Sequence, residues 1–127
     1  MLEAGADVLE TNTFSGTRIA QADYGLDTAE DVCAINYDSV KVVSNACDKY
    51  EAMGGERRYI CGAIGPTNRT LSISPDASDL ALSNITFMEV VETYEEQVKA
   101  PEEACADVLL IETIFDTLNA KDFIFSI

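Results

Sequence analysis

The chain has 127 residues, 23 of them acidic and 8 basic, for a formal net charge of -15, and it contains no histidine. The length suits one domain, and 47% hydrophobic residues are enough for a core. The acidic balance argues against nucleic acid and anionic membrane surfaces as partners, because binding either depends on clustered Lys and Arg. Without histidine there is no Ser-His-Asp triad, Cys-His pair or histidine metal site in the chain. No apolar run approaches the roughly 20 residues of a membrane span. The first residues, Met1 to Gly5, lack the basic and apolar regions of a signal peptide. A cytoplasmic protein is the expectation.

Taken in order, Leu2 to Ala6 reads as the tail of a helix, with Gly5 as its C-terminal turn. Asp7 to Phe14 reads as a strand running into the polar loop Thr13 to Thr17. Small residues at Ser15, Gly16 and Thr17 let backbone N–H groups approach a ligand, and a short helix from Thr17 to Tyr24 would follow. An ordinary βα turn is the simpler alternative. Gly25 ends this segment. Asp27 or Thr28, with Glu30 or Asp31, then caps a longer helix to about Ala52, whose inner face is Val32, Asn36, Val40, Val43, Cys47 and Tyr50.

Tyr59 to Ile64 is a second apolar strand, stopped by Gly65-Pro66 before the polar cluster Thr67 to Thr70. Arg69 in that cluster faces either an anionic ligand or an acidic neighbour. Leu71 to Asn84 is a long turn-rich loop. Thr86 and Glu89 form a capping box, with Ile85 and Val90 as its staple, for a helix carrying Phe87, Val90, Val91, Tyr94 and Val98 on one face. Pro101 should kink that helix or open a new turn.

The chain is organised around Asp107 to Asp116, DVLLIETIFD. The apolar run Val108 to Ile111 reads as a strand buried on both faces. It ends at Glu112, and a helix begins near Thr117. In parallel α/β architectures chemistry gathers at the carboxyl ends of strands. Glu112 is thus either a functional carboxylate or one paired with a neighbouring cation or N–H. Ala104 to Leu109 also echoes Ala4 to Leu9, each followed by Glu-Thr.

The cysteines, Cys33, Cys47, Cys61 and Cys105, form no C-x-x-C pair. Cys33 and Cys47 share a helix face but stand about 21 Å apart along it. All four are expected to be buried free thiols. The resulting order is three consecutive β/α units, too few to close an eight-stranded barrel and with two unpaired strand edges. This predicts an α/β chain that is a partial (β/α)8 barrel, incomplete at both ends.

The segments AGADVLETNTFSGT, CGAIGPTNRTLSISPD, NITF and LLIETIFDTLNAK, in this order, resemble the homocysteine-binding module of cobalamin-dependent methionine synthase. The resemblance covers nearly the whole chain, residues 1–127, and implies a TIM-type barrel that methylates homocysteine to methionine. It implies that Glu112 receives the ammonium group of homocysteine. The Ser15, Gly16 and Thr17 N–H groups would receive its carboxylate, and Gly65 to Asn68 would line the barrel mouth. It further implies zinc and methylcobalamin, with methyltetrahydrofolate restoring the methyl group. The zinc ligands, three cysteines in the family, lie on later strands, and cobalamin and folate sit on other modules of the parent enzyme. The four cysteines here do not match that motif. Pro101 and Cys105 depart from the family, which continues the helix and closes it with two glycines.

The chain alone is therefore expected to be inactive. The alternatives are a homocysteine methyltransferase using betaine or S-methylmethionine, and a truncated non-catalytic product.

Overall fold

The computed structural model describes residues 1–69 and 85–127. The expected long loop, Leu71 to Asn84, lies outside the described residues. The elements are β1 (Val8–Glu10), α1 (Arg18–Gln21), α2 (Ala29–Ala52), β2 (Tyr59–Ile64), α3 (Phe87–Glu103), β3 (Val108–Ile111) and α4 (Thr117–Ser126), with 3-10 turns at Leu2–Ala4 and Ala22–Tyr24. The three strands form one parallel sheet in the order β1-β2-β3. Glu10 stands beside Cys61, and Cys61 beside Val108.

Sequential strand order with the helices on one face is how a barrel wall is built; a doubly wound sheet would place helices on both faces. Two clusters show the one-sided packing. Leu9 and Ile60 meet Val40, Cys47 and Ala104. Ile64, with Leu109 and Ile111, meets Val90, Tyr94, Val98 and Phe123. Side chains alternate along a strand, so Val8, Glu10, Tyr59, Cys61, Ala63, Val108, Leu110 and Glu112 fall on the opposite, concave face. Val8, Tyr59 and Val108 there are about half exposed, at 52%, 48% and 51%. The expectation that β3 is buried on both faces is corrected: none of its four residues is buried, because β3 is an edge strand and helices cover only its outer face.

The capping residues act as their chemistry dictates. Thr28 Oγ1 accepts from Asp31 N–H, and Asp31 accepts in return from Thr28 N–H. Thr86 and Glu89 do the same for α3. Those bonds from Thr86 hold the Glu89 carboxyl below its ordinary range. Phe87, expected on the inner face of α3, is instead partly exposed (37%) and meets Phe125 edge-on.

Pro101 lies in the last turn of α3, which runs unbroken to Glu103, in place of the expected kink or new turn. Its ring is buried over the bare backbone of Gly62, where an added Cβ would come within 3.2 Å of Pro101 Cβ. Its carbonyl accepts from Ala106 N–H at 2.9 Å while Cys105 N–H donates to Glu102 at 3.0 Å, a complete Schellman closure.

The echo in the sequence is a repeated backbone form. Gly5 (φ 88) and Cys105 (φ 66) occupy the same left-handed position before a strand. Arg58 then pairs with Asp7 and Arg57 with Asp107 at the amino end of the sheet. A cysteine in that conformation carries a Cβ clash that glycine lacks. Cys105→Gly is expected to stabilise the protein by about 1 kcal/mol, read as a higher urea midpoint at unchanged slope; an unchanged or lower midpoint refutes the strain argument. The same position explains why Cys105 is exposed. Cys33 is exposed too, on the outer side of α2, so only Cys47 and Cys61 are the buried free thiols expected of all four.

Candidate functional site

All the candidate residues lie at the carboxyl end of the sheet. Glu112 follows β3 directly, and its N–H donates to Ile64 O at 3.1 Å, extending the ladder by one residue. Thr113 then turns left-handed (φ 56). A β-branched residue in that region is a real outlier, costing about 1–3 kcal/mol. It stops the strand with Glu112 still on the concave face.

The next loop is held from both neighbouring helices. Tyr94 is buried on α3; its hydroxyl donates to Gly65 O and accepts from Thr67 N–H. Burial, followed by the charges of Asp122 and Asp116, pushes that hydroxyl up to about 12, so it stays a donor. Asn119 on α4 donates to Thr67 Oγ1 and to Arg69 O. Arg69 thus serves the loop through its carbonyl, and none of the ion pairs among the described residues involves it. A cavity of about 10 Å³ lies between Gly65, Tyr94, Glu112 and Asn119. That holds one water molecule, not an amino acid.

Beyond Glu10 the β1 ladder makes one more backbone bond, Thr11 N–H to Cys61 O at 2.9 Å, and then continues through side chains. Ala63 N–H donates to Thr11 Oγ1, and Thr13 Oγ1 donates to Ala63 O. The loop that follows is fastened from α2 and α3. Asn36 Nδ2 donates to Gly16 O at 2.8 Å, and Gln97 Nε2 donates to Thr13 O at 2.9 Å. Gly16 is needed here, since a Cβ would meet Asn36 Oδ1 at 2.7 Å and Thr13 O at 2.9 Å. The Gly16 N–H is already given to Thr13 O. Among the described residues, the Ser15 and Thr17 N–H groups meet no acceptor. Thr17 Oγ1 caps α1, accepting from Ala20 N–H. The expected helix from Thr17 to Tyr24 is one α-turn and one 3-10 turn, so its dipole is small.

Among the described residues, Glu112 finds neither expected partner, Lys/Arg or backbone N–H. The Glu10 carboxyl is the acidic group that acts on it. Burial first, then the neighbouring Glu10 carboxyl, push the Glu112 carboxyl up. The buried Cys61 thiol between them is pushed up by burial and then by both carboxylates.

The family model of homocysteine S-methyltransferase matches residues 1–127. The chain belongs to the homocysteine S-methyltransferase family. The same fold is seen in the metallated form of the homocysteine methyltransferase MmuM from Escherichia coli, with a TM-score of 0.75 at 20% identity, over 95% of this chain and 42% of that one. The oxidised form of MmuM gives 0.72 at 22% identity, over 94% and 41%. This chain thus spans about two fifths of those structures. The expected partial TIM-type barrel is the observed fold.

Zinc does not fit here: among the described residues no three His, Cys, Asp or Glu side chains are grouped to hold a metal ion. No helix among them is long and apolar enough to cross a membrane. Glu10, Asn36, Gln97 and Thr113 were not singled out from sequence as site residues. The Glu-Thr echo was a usable signal for Glu10; polar residues on helices offered none for Asn36 and Gln97.

Proposed function

We propose that this chain forms the amino-acid pocket of a methyltransferase that moves a methyl group from methylcobalamin to the thiol of homocysteine, giving methionine. The observation that carries this reading is family membership across residues 1–127, with Glu112 presented at the carboxyl end of β3. Glu112 takes the substrate ammonium. The Ser15 and Thr17 N–H groups take its carboxylate, with Gly16 allowing the close approach. A zwitterion held at both ends leaves its side chain directed and its thiol free to react. The Gly65 to Asn68 loop forms part of the surrounding wall.

What this chain supplies is binding and orientation. Zinc, when bound by the later strands, would lower the thiol pKa, and other modules of the parent enzyme would carry cobalamin and methyltetrahydrofolate. Methylcobalamin is preferred to betaine or S-methylmethionine because GPTNRTLSISPD and IETIFDTLNAK are long strings resembling methionine synthase.

Donor profiling tests this. The full-length protein, given homocysteine, should form methionine with methylcobalamin, and the isolated chain with none of the donors. Turnover only with betaine or S-methylmethionine would reject the donor, and none with any donor would reject the methyltransferase reading.

A further inference from the structure

The two ends of the proposed amino-acid site follow β1 and β3, and the carboxyl end of β2 ties them together. On the β3 side, Ile64 O accepts from Glu112 N–H at 3.1 Å. On the β1 side the next residue, Gly65, donates its N–H to Phe14 O, also at 3.1 Å. Phe14 directly precedes Ser15. Its ring lies over Gly65, where an added Cβ would meet ring atoms Cδ2 and Cε2 at 2.7 Å and Phe14 O at 2.6 Å. Gly65 does not have a positive φ, so what counts there is the missing side chain rather than backbone freedom. Neither backbone is free to step aside. The Tyr94 hydroxyl donates to Gly65 O, and Thr13 is held by Ala63 O and by Gln97 Nε2. The Phe14 ring belongs to neither core cluster and stays 37% exposed, so its packing serves the loops rather than the core.

We infer that the Phe14–Gly65 contact fixes the spacing between the Ser15 and Thr17 N–H groups and Glu112, and so makes the site selective for a ligand carrying both a carboxylate and an ammonium group. Two anchors select a zwitterion only when their separation is fixed. If the Ser15 to Thr17 loop drifts, the ligand carboxylate loses its donors while the ammonium keeps Glu112. A misplacement of about 1 Å is enough to weaken such an arrangement strongly. Phe14 and Gly65 are thus positioning residues, and neither has to touch the ligand. The inference rests on the reading of Glu112 and of the Ser15 and Thr17 N–H groups as the two ends of the homocysteine site.

The test uses the full-length protein and two ligands, homocysteine and aminopropanethiol, which is homocysteine without its carboxylate. Binding of each is measured calorimetrically. Wild type should prefer homocysteine by about a hundredfold. Phe14→Ala and Gly65→Ala should each cut that preference about tenfold, by weakening homocysteine while leaving aminopropanethiol within about twofold of wild type. In Phe14→Ala the KM for homocysteine should rise to match, with kcat changed by less than about twofold. Phe14→Leu, which keeps an apolar cover over Gly65, should recover most of the preference. Equal weakening of both ligands, up to loss of both, would mark a general structural role and overturn the inference. An undiminished preference in Phe14→Ala and Gly65→Ala would overturn it alone, leaving the site reading in place. If wild type itself does not distinguish the two ligands, the reading of the carboxylate donors fails, and the inference with it.

Discussion

Glu112→Gln in the full-length protein is expected to weaken homocysteine binding by about a hundredfold, with a much smaller change in kcat. The substitution preserves shape and one acceptor oxygen, so the strand end and the left-handed turn at Thr113 stay as they are. What it removes is the negative charge proposed to meet the substrate ammonium, at a residue that none of the ion pairs among the described residues involves. A rise in KM with nearly unchanged kcat is the signature of lost binding, whereas parallel losses in kcat and kcat/KM would mark a group acting in the transition state. Thermal stability should be unchanged or slightly higher, because one carboxyl of a like-charged pair is gone. Affinity within about threefold of wild type would refute the assignment.

Asp122→Leu is expected to stabilise the protein by about 2 kcal/mol at pH 8 and by much less at pH 4. Asp122 lies on α4, fully buried, and neither carboxylate oxygen has a hydrogen-bond partner among the described residues. Burial, and then the charge of Asp116, push its carboxyl up to about 6. In an unfolded chain the same group titrates near 3.9. Its proton is therefore held more tightly in the folded chain than in the unfolded one. Below about pH 4 both forms are protonated and there is no penalty. Stability then falls as pH rises towards 6, and the full penalty persists above it. Two pKa units set a ceiling of about 3 kcal/mol, which residual solvation reduces. Urea midpoints across pH 4 to 8 would show the two proteins diverging through this window. A constant difference between them would mean that Asp122 does not titrate there.

Much of the architecture was legible because it depends on local chemistry. The capping boxes at Thr28 and Thr86 require only a hydroxyl and a carboxylate three residues apart, and both formed. The apolar runs at Tyr59 and Val108 became neighbouring parallel strands. Pro101 was misread because propensity treats a helix alone. In the folded chain the ring is buried over Gly62, and its carbonyl closes the helix end.

The site divides along the same line. Glu112 could be found from sequence, since a carboxylate ending an apolar run before a helix start marks a strand's carboxyl end. The acidic neighbour that helps burial push its carboxyl up could not, because Glu10 and Glu112 come onto one face only when β2 is laid between their strands. The same holds for Asn36 and Gln97, which fasten the Thr13 to Gly16 loop from two different helices.

By itself, then, the sequence determined the helices, strands and turns, the family resemblance and the strand end where binding is proposed, all set by residues close along the chain. The tertiary structure decided which strand face stays open, that β3 is an edge, and which acidic residue lies on the same face as Glu112. Those depend on residues brought together across the sheet, where burial and like charge act through space.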